Sequence, residues 1–258
     1  MRNAGGFVAG TLVHTDKGLV LIDQLKVGDM VLSKHESGEG ETACKRVVRT
    51  FKSETKQKIM SPLEGVYSID NHPFWVLGKG WVAANQLDQD TDEIYWLQSK
   101  DPQHDGAPAY YSLSENKDPF GVGGLYLVRT AAEGVGLEFI SNYCGFCASE
   151  QKTTLIDFNS GSPREIVTNG YDSTFGPHPT LYSSYEEIPA SADYLFFHRD
   201  YDELEVAYYR YILLEALSHA HGNGQVIEEN AYYDYVYNIE VEDYHTYFVT
   251  KYGYWAHA

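Results

Sequence analysis

The chain has few cysteines, a deficit of positive charge and no long apolar run. Its 258 residues include three Cys, which are too few for a disulfide scaffold. Lys and Arg total 19 against 37 Asp and Glu, and the net charge of −18 would repel phosphate backbones. No segment approaches the ~20 apolar residues of a membrane span. These absences argue against a disulfide-rich miniprotein, a nucleic-acid-binding protein and a membrane-spanning protein.

The negative charge is concentrated in the middle and at the end of the chain. Residues 1–97 carry a net charge of −2, and residues 226–258 carry −5. Between them, residues 98–225 hold 7 basic against 18 acidic side chains, a net charge of −11. The simplest interpretation of this charge is a solvated acidic surface, and we favour it. The shift in composition predicts that 98–225 forms a separate acidic segment.

Aromatic and apolar residues are abundant, with 43% hydrophobic residues and 22 Tyr. From Phe7 to about Trp96, short runs of alternating apolar and polar residues are separated by turn residues such as Gly. This spacing is typical of an all-β sheet or barrel. Cys44 lies in one of these alternating runs, so its side chain is predicted to pack in the core.

The acidic segment carries a predicted helix and one pair of cysteines. Residues 202–219 begin with acidic side chains, continue with strong helix formers and are soon followed by Gly222, which is typical of a helix. Cys144 and Cys147 form a single CxxC pair, whereas a closed zinc site needs four ligands. The remaining ligands of such a site could be His178, His198, His219 or His221, but their spacing in the sequence does not indicate which. We therefore predict no metal site, and an ordinary thiol pair or a fortuitous disulfide.

Five short segments, two in the N-terminal part of the chain and three near its C-terminal end, together carry a family resemblance. They are Gly6-Phe7-Val8-Ala9-Gly10, Asn71-His72-Pro73-Phe74-Trp75, residues 236–241, His245-Thr246-Tyr247-Phe248-Val249 and His257-Ala258. Together they resemble the Hint module of inteins and hedgehog-type autoprocessing domains. The nearest likeness is to bacterial intein-like domains that precede the toxin of large secreted proteins. The resemblance implies an all-β, horseshoe-shaped fold built from 6–97 and 226–258, with a mixed acidic insertion at 98–225 that contains at least one helix.

The resemblance implies that an N-terminal junction lies between Gly5 and Gly6. Residues 1–5 lack the apolar stretch of a signal peptide and are interpreted as an upstream flanking segment. In the family, a Cys or Ser at position 6 attacks the carbonyl of the preceding residue and forms a (thio)ester. Gly6 has no side chain for this acyl shift. His72 matches the family histidine that bonds the scissile amide and protonates the leaving amine.

One position near His72 departs from the family pattern. The family has Thr three residues before this histidine, and here Ile69 stands in its place. An aliphatic side chain cannot supply the missing hydrogen bond. Either N-terminal cleavage is slow or Ser68 serves through a bulge. The full set of predicted supporting residues is Gly5, Thr11, Ser68, Ile69 and Asn71.

The C-terminal junction has also lost its reacting group. In the family an Asn cyclises there and releases the segment that follows, but Ala258 has no side-chain amide. The resemblance implies that His257 polarises the scissile carbonyl and His245 protonates the departing nitrogen. Asn238 stands where inteins carry Asp or Cys, and an amide cannot shuttle protons between the junctions. Simple cleavage is therefore expected to compete with splicing.

The expected native function is autocatalytic processing, by splicing or by cleavage, without metal or cofactor. The flanking segments of its own precursor are the expected partners of a monomer, with neither nucleic acid nor membrane involved. The resemblance implies a place within a secreted or cell-surface bacterial protein. Since both reacting groups are missing, we favour an engineered change that traps the precursor over natural decay. The alternatives are a binding module that displays the acidic insertion and, less favoured, an endonuclease in that insertion.

Overall fold

The computed structural model describes residues 5–63, 65–88, 91–97, 108–112, 126–141, 151–171 and 231–258. The chain divides into two compact units. The first unit comprises 1–118, 123–125 and 233–258, and the second comprises 119–122 and 126–232. The predicted domain bounds of 6–97, 98–225 and 226–258 stay a prediction.

The described parts of both units are built from β-strands, so the predicted all-β class is confirmed. In chain order the strands are β1 (Phe7–Val8), β2 (Leu12–Thr15), β3 (Gly18–Leu21), β4 (Met30–Ser33), β5 (Ala43–Lys52), β6 (Gln57–Lys58), β7 (Met60–Leu63), β8 (Val66–Ser68), β9 (Pro73–Val76), β10 (Gly80–Ala83), β11 (Glu93–Leu97), β12 (Pro108–Ser112), β13 (Tyr126–Leu127), β14 (Arg129–Ala132), β15 (Val135–Ser141), β16 (Gln151–Asp157), β17 (Arg164–Tyr171), β18 (Tyr233–Asp234), β19 (Val236–Val241), β20 (Thr246–Val249) and β21 (Tyr254–His257). The helices among the described residues are two single 3-10 turns, Ile22–Gln24 and Ala84–Gln86.

The strands of the first unit pair in an order that brings the two ends of the chain together. Along the main path the order is β10-β9-β11-β21-β20-β2-β4-β5-β19-β1-β8-β7. β1 is antiparallel to both β19 and β8, with Phe7 opposite Tyr237 and Ser68. β21 is antiparallel to β20 and also meets β9, where Ala256 lies opposite Phe74. The first and last strands therefore both border the region around His72, between β8 and β9.

Alternation along the strands builds the core of this unit. In β4, Val31 and Ser33 are buried while their neighbours are half-buried, as period-two geometry requires. The main cluster gathers Phe7, Val13, Val31, Val47, Phe74, Ile94, Ile239, Val241, Tyr247 and Val249. A second, aromatic cluster centres on the fully buried Trp255. Aromatic groups each bury about 150–250 Å², and Tyr67, Tyr247, Tyr254 and Trp255 are among the largest fully buried side chains of the described residues.

Cys44 corrects one expectation, because its side chain is exposed rather than buried. It lies on β5, where Val47 is fully buried and Lys45 half-buried. The even-numbered residues of this strand therefore face outward, and Cys44 shares that face with Arg46 and Val48. Period-two alternation shows that a strand has two faces without showing which face meets the core.

The second unit contains an antiparallel meander of four strands in the order β14-β15-β16-β17. β15 and β16 pair over seven positions, from Val135 opposite Asp157 to Ser141 opposite Gln151. Leu137, Leu155 and Ile156 are buried, and Phe158 stacks on Tyr232 with ring centroids 4.6 Å apart.

Several predicted features lie outside the described residues. They are the helix at 202–219, the cysteine pair Cys144 and Cys147, and the histidines His178, His198, His219 and His221. In the part of the chain that the structure covers, no helix is long and apolar enough to span a membrane.

Candidate functional site

Gly5 and Gly6 lie at the start of β1, against β8 and β19. The amide of Ile69 donates a hydrogen bond of 3.1 Å to the carbonyl oxygen of Gly6. Phe7 then pairs with Ser68 on one side and Tyr237 on the other. The peptide between residues 6 and 7 is thus held beside β8 by a backbone bond, next to the peptide between residues 5 and 6. The side chain of Ile69 takes no part in that bond.

His72 is fully buried next to this peptide. Its backbone amide donates to the carbonyl of Ile69 at 3.3 Å, and its carbonyl accepts from Ala84 at 2.8 Å. Its ring packs on Phe7 and Phe74 with centroid distances of 4.1 Å and 5.4 Å. The local Pro-Phe sequence and the following 3-10 turn therefore hold the imidazole in an apolar pocket.

The imidazole of His72 is neutral and unpaired. Neither ring nitrogen has a hydrogen-bond partner among the described residues. Burial lowers the pKa of His72 from 6.5 to about 3, and the charge of His257 at the other junction contributes to this lowering. A neutral ring offers one N–H donor and one acceptor, so His72 is prepared to bond a peptide group.

The backbone of Gly5 lies directly against the His72 ring. A Cβ built on Gly5 would lie 2.2 Å from the Nδ1 atom of His72, so the ring fits only because residue 5 has no side chain. Nδ1 therefore faces Gly5, whose carbonyl belongs to the peptide bond of the predicted junction. The structure brings Gly5, Gly6 and His72 together.

Position 6 is tightly enclosed. A Cβ on Gly6 would lie 2.8 Å from Cγ2 and 2.9 Å from Cβ of Val236. Separations under 3.0 Å require a neighbour to move. A reacting side chain at this position would therefore require a shift of Val236.

The C-terminal residues are held by β20. Thr246 pairs with His257, and the amide of Ala258 donates to the carbonyl of His245 at 2.7 Å. His257 Nδ1 lies 2.9 Å from the carbonyl oxygen of Ala258. The ring of His257 is thus in hydrogen-bond range of the carbonyl that the predicted cyclisation would attack.

His245 contacts this junction through its backbone. It has a left-handed φ of 56°, and its side chain is exposed. The carbonyl of His245 anchors Ala258, while the predicted proton transfer by its ring stays a prediction.

Two residues near His257 were not predicted from the sequence. Glu36 Oε2 lies 3.1 Å from His257 Nε2, and the indole of Trp81 packs edge-on against the imidazole with centroids 4.9 Å apart. Trp81 Nε1 also donates to the backbone carbonyl of Glu36 at 2.9 Å. The sequence around Glu36 is a polar, Gly-containing segment, and nothing in it indicated a contact with His257.

Asn238 is buried on β19 and paired with Tyr247. The Tyr247 hydroxyl donates to Asn238 Oδ1 at 2.5 Å, and the Ile239 amide donates to the same oxygen at 2.8 Å. The Asn238 Nδ2 has no partner in the described segments. Burial raises the pKa of Tyr247, so this pair is uncharged.

The predicted supporting residues fall in different places. The Ser68 hydroxyl is buried and donates to the carbonyl of Ile69 at 3.2 Å. The Thr11 hydroxyl donates to Val8 at 2.9 Å, on the turn that follows β1. Asn71 is exposed. Ser68 lies beside the predicted N-terminal junction, whereas the Thr11 hydroxyl stabilises the turn that follows β1.

Within the described ranges, no group of three or more His, Cys, Asp or Glu side chains could hold a metal ion. The side chains at these two junctions offer imidazole and carboxylate groups beside backbone hydrogen-bonding groups. Such groups support proton transfer and polarisation of peptide carbonyls.

An all-β unit with both chain ends at one histidine-bearing region is the architecture expected of Hint domains. Residues 12–100 match the family described as the pretoxin HINT domain, so the resemblance predicted from the motifs is confirmed. No curated protein matches the chain.

Solved structures with a similar fold include three inteins or intein-like domains. The bacterial intein-like domain from Clostridium thermocellum is 17% identical, with 98% of each chain covered and a TM-score of 0.40. A DnaB intein from Synechocystis is 10% identical, with 99% of each chain covered and a TM-score of 0.43. The gp41-1 intein is 24% identical over 38% of this chain and 70% of its own, with a TM-score of 0.27.

Proposed function

We propose that this chain is a Hint-type self-processing domain that acts on flanking segments of its own precursor. The reactions would be an acyl shift at residue 6 and Asn cyclisation at residue 258. The observation that supports this most strongly is the contact between Gly5 and His72 Nδ1. It sets a buried, neutral imidazole against the residue whose carbonyl would be attacked.

The N-terminal step needs a proton donor for the amine that leaves. His72 is suited to this role because its ring is desolvated and no described side chain competes for its nitrogens. The neutral ring of His72 can take the proton that the attacking thiol at residue 6 releases and, as the imidazolium, pass it to the amide nitrogen of residue 6 when that nitrogen becomes basic. Gly5 supports this site because it leaves room for the His72 ring. Ser68 supports it because it lies on β8, opposite Phe7.

The C-terminal step needs a polarised carbonyl. An Asn at residue 258 would attack its own backbone carbonyl with its side-chain amide, forming a succinimide. His257 Nδ1 is already 2.9 Å from that oxygen, within hydrogen-bond range. His245 would protonate the departing nitrogen, and Asn238 would have a hydrogen-bonding rather than a proton-shuttling role.

As written, the chain would stay uncut at both junctions. Gly6 has no nucleophile and Ala258 has no amide, so neither covalent step has its reacting group. We propose that the chain represents the trapped precursor form of such a domain.

Restoring the two reacting groups tests the proposal. The chain with Gly6→Cys and Ala258→Asn, placed between short flanking segments, should cleave or splice on incubation in reductant. A companion chain that also has Val236→Ala is needed, because a Cβ at residue 6 would crowd Val236. The matched control has Gly6→Ala and Ala258→Asn, which adds the Cβ but no thiol and should release only the C-terminal segment.

The binding-module alternative predicts a different result. Under that alternative both restored chains would fold and remain single uncut bands over days. That outcome would overturn the processing proposal.

A further inference from the structure

Glu36 is linked to His257 directly through its carboxylate and indirectly through Trp81. Its carboxylate lies 3.1 Å from His257 Nε2. Its backbone carbonyl accepts a hydrogen bond of 2.9 Å from Trp81 Nε1. The Trp81 ring in turn packs at 87° to the imidazole of His257. Glu36 and His257 are 221 positions apart in the chain, so the fold brings them together.

The two nitrogens of His257 both face acceptors. Nε2 faces the Glu36 carboxylate, and Nδ1 faces the carbonyl oxygen of Ala258 at 2.9 Å. A neutral imidazole carries one N–H, whereas the protonated ring carries two. The neutral ring can therefore donate to only one acceptor at a time. The carboxylate is the stronger acceptor, because hydrogen bonds to ionised groups are about twice as strong as neutral ones.

We infer that Glu36 is a positioning residue that holds the proton of neutral His257 on Nε2. Nδ1 then gains its own N–H only when the ring takes up a second proton. The doubly protonated ring donates to Glu36 and to the carbonyl of residue 258 together. The importance of this for cleavage rests on the proposed function, whereas the location of the proton can be measured in any uncut chain whose residue 258 is followed by a peptide bond.

Among the described residues, Glu36 is the carboxylate that the structure pairs with the His257 ring. His72 also interacts electrostatically with His257, but its pKa of about 3 keeps it neutral at ordinary pH. Trp81 contributes an aromatic edge and Thr246 a backbone pair. The side chains of His257 and Glu36 are 28% and 43% exposed, so solvent moderates the interaction.

The first test reads the proton directly in the chain extended by a short segment after Ala258, so that residue 258 presents a peptide carbonyl rather than a terminal carboxylate. ¹⁵N-detected NMR of the His257 ring, recorded at a pH where the ring is neutral, distinguishes the Nε2–H from the Nδ1–H form. We expect mainly Nε2–H. In Glu36→Gln, the amide can donate to Nε2, so the Nδ1–H form should increase several-fold. Glu39→Gln, an exposed change in the same loop, should give the spectrum of the parent chain.

Glu36→Ala provides a second variant that removes the partner altogether. It should also lose the preference for Nε2–H. If both Glu36 variants keep the spectrum of the parent chain, the inference is wrong, whatever happens in cleavage.

The second test measures release at the C-terminal junction. In a chain with Ala258→Asn and a downstream segment, Glu36→Gln should slow release about 10-fold at mildly acidic pH and make the rate less dependent on pH. An orienting carboxylate can contribute far more in a buried triad, but this pair is partly exposed. Glu39→Gln should leave the rate unchanged.

The two failures are distinguishable. If the chain with Ala258→Asn releases nothing while the tautomer changes as expected, the proposed function fails and the proton placement by Glu36 stands. If release is normal in Glu36→Gln and the tautomer is unchanged, the inference fails and the proposed function stands.

Discussion

The two junction histidines, His72 and His257, have opposite surroundings. His72 is fully buried among Phe7 and Phe74, and burial lowers its pKa to about 3. His257 is partly exposed, and a carboxylate and a backbone carbonyl face its two nitrogens. The same side chain is therefore an uncharged hydrogen-bonding group at one junction and a group that can carry charge at the other.

This difference suits the two proposed steps. Protonation of a leaving amine requires a ring that returns readily to its neutral form, which an apolar pocket favours. Polarisation of a carbonyl needs a donor directed at its oxygen, and His257 Nδ1 lies 2.9 Å from the carbonyl oxygen of Ala258. The charge of His257 also lowers the pKa of His72, so protonation at one junction opposes protonation at the other.

The largest expected effect is on the cleavage rates, because the loss of each histidine should slow a different junction. In the chain with Gly6→Cys and Ala258→Asn, His72→Ala should slow N-terminal cleavage by about 10²–10⁴-fold, the usual contribution of a general acid or base. His257→Ala should do the same for C-terminal release, and the rates at each junction can be followed by gel electrophoresis. Small, equal losses at both junctions for both changes would indicate that these histidines are structural.

Acid should destabilise the chain through His72. Its folded pKa of about 3 lies below the ordinary value of 6.5, so between these values the unfolded state binds a proton that the folded state does not. The stabilisation is complete above pH 6.5 and decreases as the pH falls toward 3. At about 1.36 kcal/mol per pKa unit, the loss between pH 7 and pH 4 is about 3 kcal/mol. Denaturant unfolding at both pH values measures it.

The control for this effect is His72→Gln, which has no titratable ring. Carboxylates titrate in the same range, so the difference between the two chains is the informative quantity. If both chains lose the same free energy of unfolding between pH 7 and pH 4, His72 is not the source of the acid sensitivity.

Gly5→Ala should destabilise the N-terminal junction without any change of charge. The new Cβ would lie 2.2 Å from His72 Nδ1, and overpacking of this kind costs about 1–3 kcal/mol. The measurement is the free energy of unfolding of Gly5→Ala, His72→Ala and the double variant. Because the clash needs the ring, the cost of Gly5→Ala should largely disappear when His72 is Ala. An additive double variant would contradict the contact.

The smallest effect concerns the residue that packs between the junctions. Tyr247 pairs with Ala256 of β21, and its ring lies 6.2 Å from that of Phe7 on β1. Tyr247→Phe removes the hydrogen bond to Asn238 and should cost about 1 kcal/mol in stability. The Asn238 oxygen keeps the amide of Ile239, so the loss stays modest. A thermal midpoint equal to that of the parent chain would show that the bond contributes nothing.

Much of this picture was predictable from local sequence. Alternating apolar residues between turns predicted an all-β class because side chains alternate across a strand. The short run from Asn71 to Trp75 marked His72 as a functional candidate through its resemblance to the Hint module. Both signals are local runs of sequence, whereas the pocket around His72 also needs Phe7 from the start of the chain.

The features that were missed depend on distant residues. Glu36 could not be linked to His257, because its segment reads as a polar turn and 221 positions separate the two. The outward face of Cys44 depends on which side of β5 meets the core. His245 combines an exposed side chain with a left-handed φ of 56°, and the sequence pattern revealed neither.

By itself, the sequence determined the strand pattern, and its resemblance to the Hint module predicted the junctions at Gly6 and Ala258. Tertiary structure decided the surroundings of both histidines and the low pKa of His72. Strand pairing buried His72 beside Gly5 and set the Glu36 carboxylate against His257. A pKa reports solvation and nearby charge, and both depend on which distant segments pack together.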